Sequence, residues 1–327
     1  MTIRTHLVGA AGYAAADLIA YLARHPHAEI VTLESQSATG SRVCDQFPLL
    51  PNDRRTFEGD GTALGRVQSG EIIFLCGERE TARELAPKFL AKGARVIDLS
   101  DAFRLHQDAG DAVYGFPERY RDAIAKAKLV ANPGCYPTSA LLALLPFAQF
   151  KGNIERIVID AKSGITGAGR RPSLNKMFAE IEGDVHAYGI ESHRHQPEIG
   201  QELAAVGIVS GFIFSPHVVP TSRGILADCY VIGKTPFDLA TLQASFERAY
   251  ASNPFVHVLD KGRVPNLPAL AHTNDAQIAL AVRDGIAHVM CGIDNLGKGT
   301  SGVAVQNMNI MCGLEEDLGL GARTTVV

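Results

Sequence analysis

The chain has little of what marks a protein for a membrane, a nucleic acid or an oxidising compartment. Its six cysteines, Cys44, Cys76, Cys135, Cys229, Cys291 and Cys312, include no Cys-x-x-Cys pair, so zinc-type and redox-type spacings are absent. The opening Met-Thr-Ile-Arg-Thr-His lacks the charged-then-apolar layout of a secretory leader. Reduced thiols in a cytoplasmic setting are therefore expected rather than three disulfides. Basic charge is not in excess: Lys plus Arg number 31 and Asp plus Glu 35, for a net charge of −4. That balance offers no broad attraction for nucleic acid or anionic lipid. The longest apolar runs, such as 140–148, are too short to span a bilayer. No internal repeat or low-complexity segment appears.

What is present is the composition of a soluble globular protein, 46% apolar and 20% charged. At roughly 150 residues per domain, 327 residues suggest two domains with cores that need no staples. In the first third, β-type runs at 3–8, 28–33, 71–75, 94–99 and 129–131 alternate with helical spacing, as in Ala15, Leu18, Ile19 and Leu22. Such alternation predicts a parallel sheet covered on both faces. From about Ile154 β-type runs follow one another, at 157–161, 211–219, 225–232, 277–282 and 288–293, with a helix over 238–250 capped by Asp238. The predicted architecture is α/β plus α+β: a Rossmann-type dinucleotide-binding domain and a second, mostly antiparallel catalytic domain. We expect the first over 1–134, completed by a C-terminal helix within 299–327, and the second over 135–298. The last residues, 322–327, are expected to fray.

Two local patterns carry chemistry. Gly9-Ala10-Ala11-Gly12-Tyr13-Ala14-Ala15 follows the first strand and opens the first helix. Glycines there permit a tight turn and bring backbone N–H groups to a pyrophosphate at a helix N-terminus. A plain turn is the alternative. At the end of the second strand Glu34 stands where a ribose-binding acid would lie, whereas Ser35, Ser37 and Arg42 suit a 2′-phosphate. Read alone, this segment leaves NAD, NADP and a ligand-free polar loop open. The second pattern, Asn132-Pro133-Gly134-Cys135-Tyr136-Pro137-Thr138, lies between a short strand and an apolar helix. Pro137 suits a first helical turn, which sets Cys135 at or just before the helix N-terminus. Open N–H groups and the positive dipole end favour a thiolate there, and Gly134 leaves room for a substrate. A buried structural cysteine is the alternative.

Further blocks extend this pattern along the chain: Asp98-Leu-Ser-Asp-Ala-Phe-Arg104, Tyr114-Gly-Phe-Pro-Glu118, Asp160-Ala-Lys-Ser-Gly-Ile-Thr-Gly-Ala-Gly-Arg170, His193-Arg-His-Gln-Pro-Glu-Ile199, Pro216-His-Val-Val-Pro-Thr-Ser-Arg-Gly224 and Asp294-Asn-Leu-Gly-Lys-Gly-Thr-Ser-Gly302. In content and order they resemble the N-acetyl-γ-glutamyl-phosphate reductases, an arginine-biosynthesis family of the semialdehyde dehydrogenase superfamily, in its shorter bacterial form. Two places depart from that family's pattern. Ala11 and Ala15 replace a hydroxyl residue and the last glycine of the nucleotide turn, and Leu75-Cys76-Gly77-Glu78 replaces a segment that usually carries a Pro-His pair.

The resemblance implies NADP(H) and reductive dephosphorylation of N-acetyl-L-glutamyl 5-phosphate to the 5-semialdehyde, through a thioester on Cys135. It also implies a homo-oligomer, dimer or tetramer. His193 and His195 are the candidate bases, placed two apart on an extended segment and so facing one way, with His193 slightly favoured. Surface histidines, or a metal pair with His186, are the alternatives; no metal is expected. Anionic substrate groups call for cations and hydrogen-bond donors. Arg104, with Lys162, Ser163 and Gly164, is expected at the phosphate, and Arg170 and Arg223 at the carboxylate. Each arginine also has the ordinary reading of a surface cation. Asn295 and Lys298 are expected beside the nicotinamide or its phosphate, with Gly9, Ala10, Gly12, Tyr13, Ala14, Ser35 and Ser37 completing the cofactor site. A reductase of aspartyl or N-acetylated aminoadipyl phosphate is the nearest rival activity, since one methylene separates little. A non-catalytic dinucleotide-binding protein is the rival of a different class.

Overall fold

A computed structural model of the chain describes residues 2–321; the expected fraying at 322–327 lies outside the described residues. The chain forms two compact units, one comprising residues up to Pro133 together with those from Thr300 onward, the other Gly134–Gly299. Among the described residues no helix is long and apolar enough to cross a membrane.

In the first unit, strands β1 (Ile3–Val8), β2 (Ala28–Glu34), β3 (Ile72–Leu75), β4 (Arg95–Asp98), β5 (Val113–Tyr114) and β6 (Leu129–Ala131) form one sheet in the order β2-β1-β3-β4-β6-β5. Every pair is parallel. Its central strands are continuous apolar runs because helices cover both faces. Helix α1 (Tyr13–Leu22) buries Ala15, Leu18, Ile19 and Leu22, the stripe read from the sequence. Helices α2 (Arg79–Ala91) and α3 (Pro117–Ile124) follow β3 and β5. The chain runs from β1 outward to β2, then returns to β3 on the other side of β1. The carboxyl ends of β1 and β3 therefore flank the point where strand order reverses, where open α/β sheets hold their ligands.

The C-terminal helix, Gly302–Met311, also belongs to this unit, and all ten of its residues are buried. Three of them are amides, and each has partners, as buried polar groups require. Asn307 Nδ2 donates to Gly115 O at 3.0 Å and to Asn132 Oδ1 at 3.2 Å. Asn309 Nδ2 donates to Glu316 O and Leu318 O, while its Oδ1 lies 2.9 Å from His25 Nε2. Gln306 Nε2 donates to Glu316 Oε2 at 2.8 Å.

The second unit is built on β7 (Ile154–Gly164), β8 (His186–Ala187), β9 (Phe212–Val219), β10 (Ile225–Gly233), β11 (Val256–Val258), β12 (Ala276–Arg283) and β13 (Ile286–Ile293). The sheet order is β11-β12-β13-β10-β7-β9-β8. It is mixed: β7–β9 and β11–β12 run parallel and the other pairs antiparallel. Helix α4 (Cys135–Leu144) lies on one face, and every residue after Cys135 in it is buried. Ile159, Ala161, Ala227, Cys229, Val289 and Cys291 are buried sheet residues. Strand alternation sends Asp160, Lys162, Asp228, Tyr230 and His288 to the other face. There the Lys162 ammonium lies 2.7 Å from Asp160 and 3.1 Å from Asp228, and His288 stacks on Tyr230 at 4.3 Å. The remaining long helices are α5 (His195–Ala205) and α6 (Leu239–Tyr250), the latter capped by Asp238, which accepts from Thr241 N at 2.8 Å.

Candidate active site

Cys135 is the first residue of α4, and Gly134 before it is extended with no side-chain cap. Helical hydrogen bonding begins with Thr138 N donating to Gly134 O at 2.9 Å, and Pro137 has no N–H to offer. The end of the helix is thus left open beside the sulfur, an arrangement that favours negative charge. Two contacts fix it. Gly134 N donates to Glu198 Oε1 of α5 at 2.8 Å, tying the entry to α4 to a buried carboxylate. Gly299 packs so closely that a Cβ there would stand 2.9 Å from Cys135 Cβ. Elsewhere, burial pushes the Cys76 thiol up to about 12, with Asp98 adding to it, and raises Cys229 and Cys312 as well.

Cys135 opens into a cavity of about 250 Å³ within the second unit. His193, His195, Tyr136, Tyr188, Ser163 and Gly164 share its wall. The two histidines do not lie on an extended segment as their spacing predicts. His195 is the first residue of α5 and Arg194 is already helical, yet the rings end 4.9 Å apart. The tight turn does what a strand would have done. It also differentiates them. His195 N donates to His193 Nδ1 at 3.1 Å, so the His193 proton sits on Nε2. Burial, helped by the Arg194 charge, lowers His193 to about 4 and keeps its ring neutral. His195 is buried, with the Tyr136 ring 5.9 Å away. Tyr136 donates to His217 O at 2.8 Å and accepts from Tyr188 at 3.4 Å; burial raises both phenols and holds them protonated.

The expected cations have partners within the protein. Arg104 lies in the first unit, where its Nε donates to Asn132 O at 2.7 Å and its Nη2 to Leu99 O at 2.9 Å. Its guanidinium serves carbonyls just past the ends of β4 and β6. Arg223 is held by the fully buried Asp294 through Nε and Nη2, each at 3.0 Å. Asp294 also accepts from Leu296 N and His272 N. Arg170 is exposed, and neither it nor Arg223 lines the cavity. The cavity's cations are instead Lys176 and Arg194. The Lys176 ammonium is steadied by the carbonyls of Ala168 at 2.6 Å and Arg171 at 3.1 Å. Arg194 was hidden in plain view between the two histidines; Lys176 sits in a stretch without periodicity, and nothing local singles it out.

Two further expected cofactor residues have other partners. The Asn295 amide accepts from Gly224 N at 2.8 Å and donates to Thr166 Oγ1 at 3.0 Å, joining the loops around Gly164. Lys298 is fully buried, its ammonium 5.5 Å from the Phe255 ring. His186 lines the cavity and pairs with Asp184 at 2.6 Å. No group of three or more His, Cys, Asp or Glu side chains is arranged for a metal among the described residues.

The nucleotide turn lies in the first unit, at the sheet's reversal point. Gly9 has φ +79° and approaches the loop after β3 so closely that a Cβ would lie 2.8 Å from Gly77 N. The constraint falls on Gly9 alone: its Cβ would strike the Gly77 backbone, whereas a Cβ at Gly77 would meet only Thr81, at 3.8 Å. Gly9 N and Ala10 N both donate to Glu34 O at 2.9 Å, so these amides hold the turn itself. Ala10 is buried, while Gly12, Tyr13 and Ala14 begin α1, which has no side-chain cap. Its open first turn fits a pyrophosphate. Buried Ala15 allows the helix to pack closely. Glu34 is buried and accepts from Ala63 N at 2.8 Å, whereas the hydroxyls of Ser35 and Ser37 meet at 3.4 Å. Arg42 turns to Asp45, at 2.9 and 3.0 Å. Replacing Gly9 by Val introduces about 1–2 kcal/mol of left-handed strain besides the collision. It is expected to weaken dinucleotide binding at least about tenfold, read by fluorescence titration of NADPH; undiminished affinity would remove Gly9 from the site.

Two family descriptions match this chain: the semialdehyde dehydrogenase NAD binding domain over residues 4–127, and the semialdehyde dehydrogenase dimerisation domain over 135–295. The N-acetyl-gamma-glutamyl-phosphate reductase of Moorella thermoacetica is 40% identical over 339 residues, covering 97% of this chain and 98% of its own. That of Marinobacter nauticus is also 40% identical, covering 98% of each. A probable aspartate-semialdehyde dehydrogenase from Pseudomonas aeruginosa shares the fold with a TM-score of 0.77 at 17% identity, over 95% of this chain and 99% of that one. The chain belongs to the semialdehyde dehydrogenase family and, within it, to the N-acetyl-gamma-glutamyl-phosphate reductases.

Proposed function

We propose that this chain reduces N-acetyl-L-glutamyl 5-phosphate to N-acetyl-L-glutamate 5-semialdehyde with release of phosphate, using NADPH. The observation that carries this reading is Cys135 at the open end of α4, in one cavity with His193 and His195. The activity named for relatives at 40% identity supports the glutamyl substrate over aspartyl or aminoadipyl phosphates. Cys135 Sγ attacks the acyl carbon, the bond from that carbon to the phosphate oxygen breaks, and a thioester remains. His195 takes the thiol proton. The Nε2–H of neutral His193 donates to the oxygen that gains charge, as a neutral imidazole does where a cation would bind too tightly. Lys176 and Arg194 balance the phosphate and carboxylate. When bound, the dihydronicotinamide supplies hydride to the thioester carbon. Collapse of the resulting thiohemiacetal expels the Cys135 thiolate and frees the aldehyde.

NADP is favoured over NAD by the occupied Glu34 carboxylate and by the two hydroxyls at the end of β2. A cytoplasmic homo-oligomer is the setting that fits the matched dimerisation domain and a biosynthetic reductase. The reaction is tested by mixing enzyme with acyl phosphate and no nicotinamide. One phosphate per subunit should appear in a burst, with Cys135 acylated in the intact mass. A chain that releases none excludes the thioester path.

His193 stays neutral at any pH above about 4. The unfolded chain takes up this proton near pH 6.5 and the folded one only near 4, where the ring ceases to accept from His195 N, so stability falls as pH drops from about 6.5 towards 4. His193→Gln keeps a donor near Nε2 and should lower kcat less than about tenfold. The acid midpoint of the kcat/KM profile above pH 5 should not move. A displaced midpoint would reassign that limb to His193.

A further inference from the structure

Two helices of the second unit each begin on a cavity residue, α4 with Cys135 and α5 with His195. Glu198 links them. It stands three positions after His195 in the first turn of α5, on the same helix face. Its Oε1 accepts from Gly134 N at 2.8 Å. The other end of that residue is held within α4, where Gly134 O accepts from Thr138 N and Thr138 Oγ1, each at 2.9 Å. The residue before the sulfur is thus gripped from both helices. Glu198 is only 2% exposed and does not line the cavity, so it does not meet substrate. Burying a carboxylate is costly, and an uncharged oxygen could accept from Gly134 N without that cost. The charge stands in the first turn of α5 and on the N-cap amide of α4, where two helix ends favour it.

We propose that Glu198 is a positioning residue: from the helix that carries His195, its carboxylate fixes the residue before Cys135 and so sets the distance between sulfur and imidazole. Its charge has a second effect. A buried anion this close offsets part of what the open helix end gives a thiolate, which leaves the proton on the sulfur for His195 to take. This rests on the reading of Cys135 and His195 as nucleophile and base, so the thiol is also probed without substrate. In Glu198→Ala the acceptor is gone, and kcat should fall about 10²-fold, the effect of a displacement near about 1 Å. KM should change little, with NADPH binding retained as the sign of a folded chain. Glu198→Gln keeps an oxygen for Gly134 N and should restore kcat to within about tenfold of wild type. With the charge removed, the pH midpoint for alkylation of Cys135 by iodoacetamide, read by mass on its peptide, should fall by about one unit. A role confined to packing would leave it in place. Both variants keep the other charged and titratable groups of the cavity wall: His186, His193, His195, Lys176, Arg194 and the phenols of Tyr136 and Tyr188. The proposal is overturned if Glu198→Ala keeps kcat within about twofold, if Glu198→Gln is as slow as Glu198→Ala, or if the alkylation midpoint of Glu198→Gln stays at the wild-type value. The last comparison stands even where the alanine variant does not fold. Should the midpoint move while the wild-type chain reduces no acyl phosphate, the functional reading fails and the link from Glu198 to Cys135 holds.

Discussion

Replacing Cys135 by Ser is expected to lower kcat for acyl-phosphate reduction by about 10⁴-fold or more, because the covalent path is lost rather than slowed. A hydroxyl at the same place meets the same open helix end, but its far higher pKa leaves almost none of it as an anion. The phosphate burst should vanish with it, while NADPH binding, which belongs to the matched NAD binding domain over 4–127, stays at the wild-type value. Stopped-flow loss of NADPH signal and phosphate release together check this. Activity within tenfold of wild type would end the case for a thioester. Retained binding with activity abolished would end the rival idea of a protein that only holds a dinucleotide.

The second large effect is expected at His195. His195→Asn should cost about 10²–10⁴-fold in kcat/KM, the usual contribution of a positioned base. The burst should slow by the same factor, since the proton leaves Cys135 in that step. His193→Gln, on the reading of a neutral donor, costs far less. The geometry behind this contrast is the His195 N–H donated to His193 Nδ1, which leaves only the Nε2 proton of His193 to give. A crippled His193→Gln beside a healthy His195→Asn would reverse the assignment.

Which parts of this were legible in the sequence follows from how local each signal is. The Pro-Gly-Cys-x-Pro frame states its own geometry, because proline and glycine restrict the backbone wherever they occur, and Cys135 stands first in its helix. Apolar alternation likewise sufficed for the long strands. It failed for Val113–Tyr114, His186–Ala187 and Val256–Val258, which are two or three residues long and hold no period. The arginines were the least legible. Arg104 and Arg223 look alike in their motifs, but one is engaged by the carbonyls of nearby Leu99 and distant Asn132 and the other by Asp294, remote in sequence. Lys176 and Arg194 reach the cavity because of turns that no short window encodes.

The helix at Gly302–Met311 has a consequence for the order of assembly. All ten of its residues are interior to a unit whose strands end at Ala131. The domain translated first is therefore the one finished last. Until the ribosome has delivered nearly the entire chain, the nucleotide-binding half leaves open the groove this helix fills, and a nascent chain halted before residue 302 has a complete central segment but an unfinished beginning.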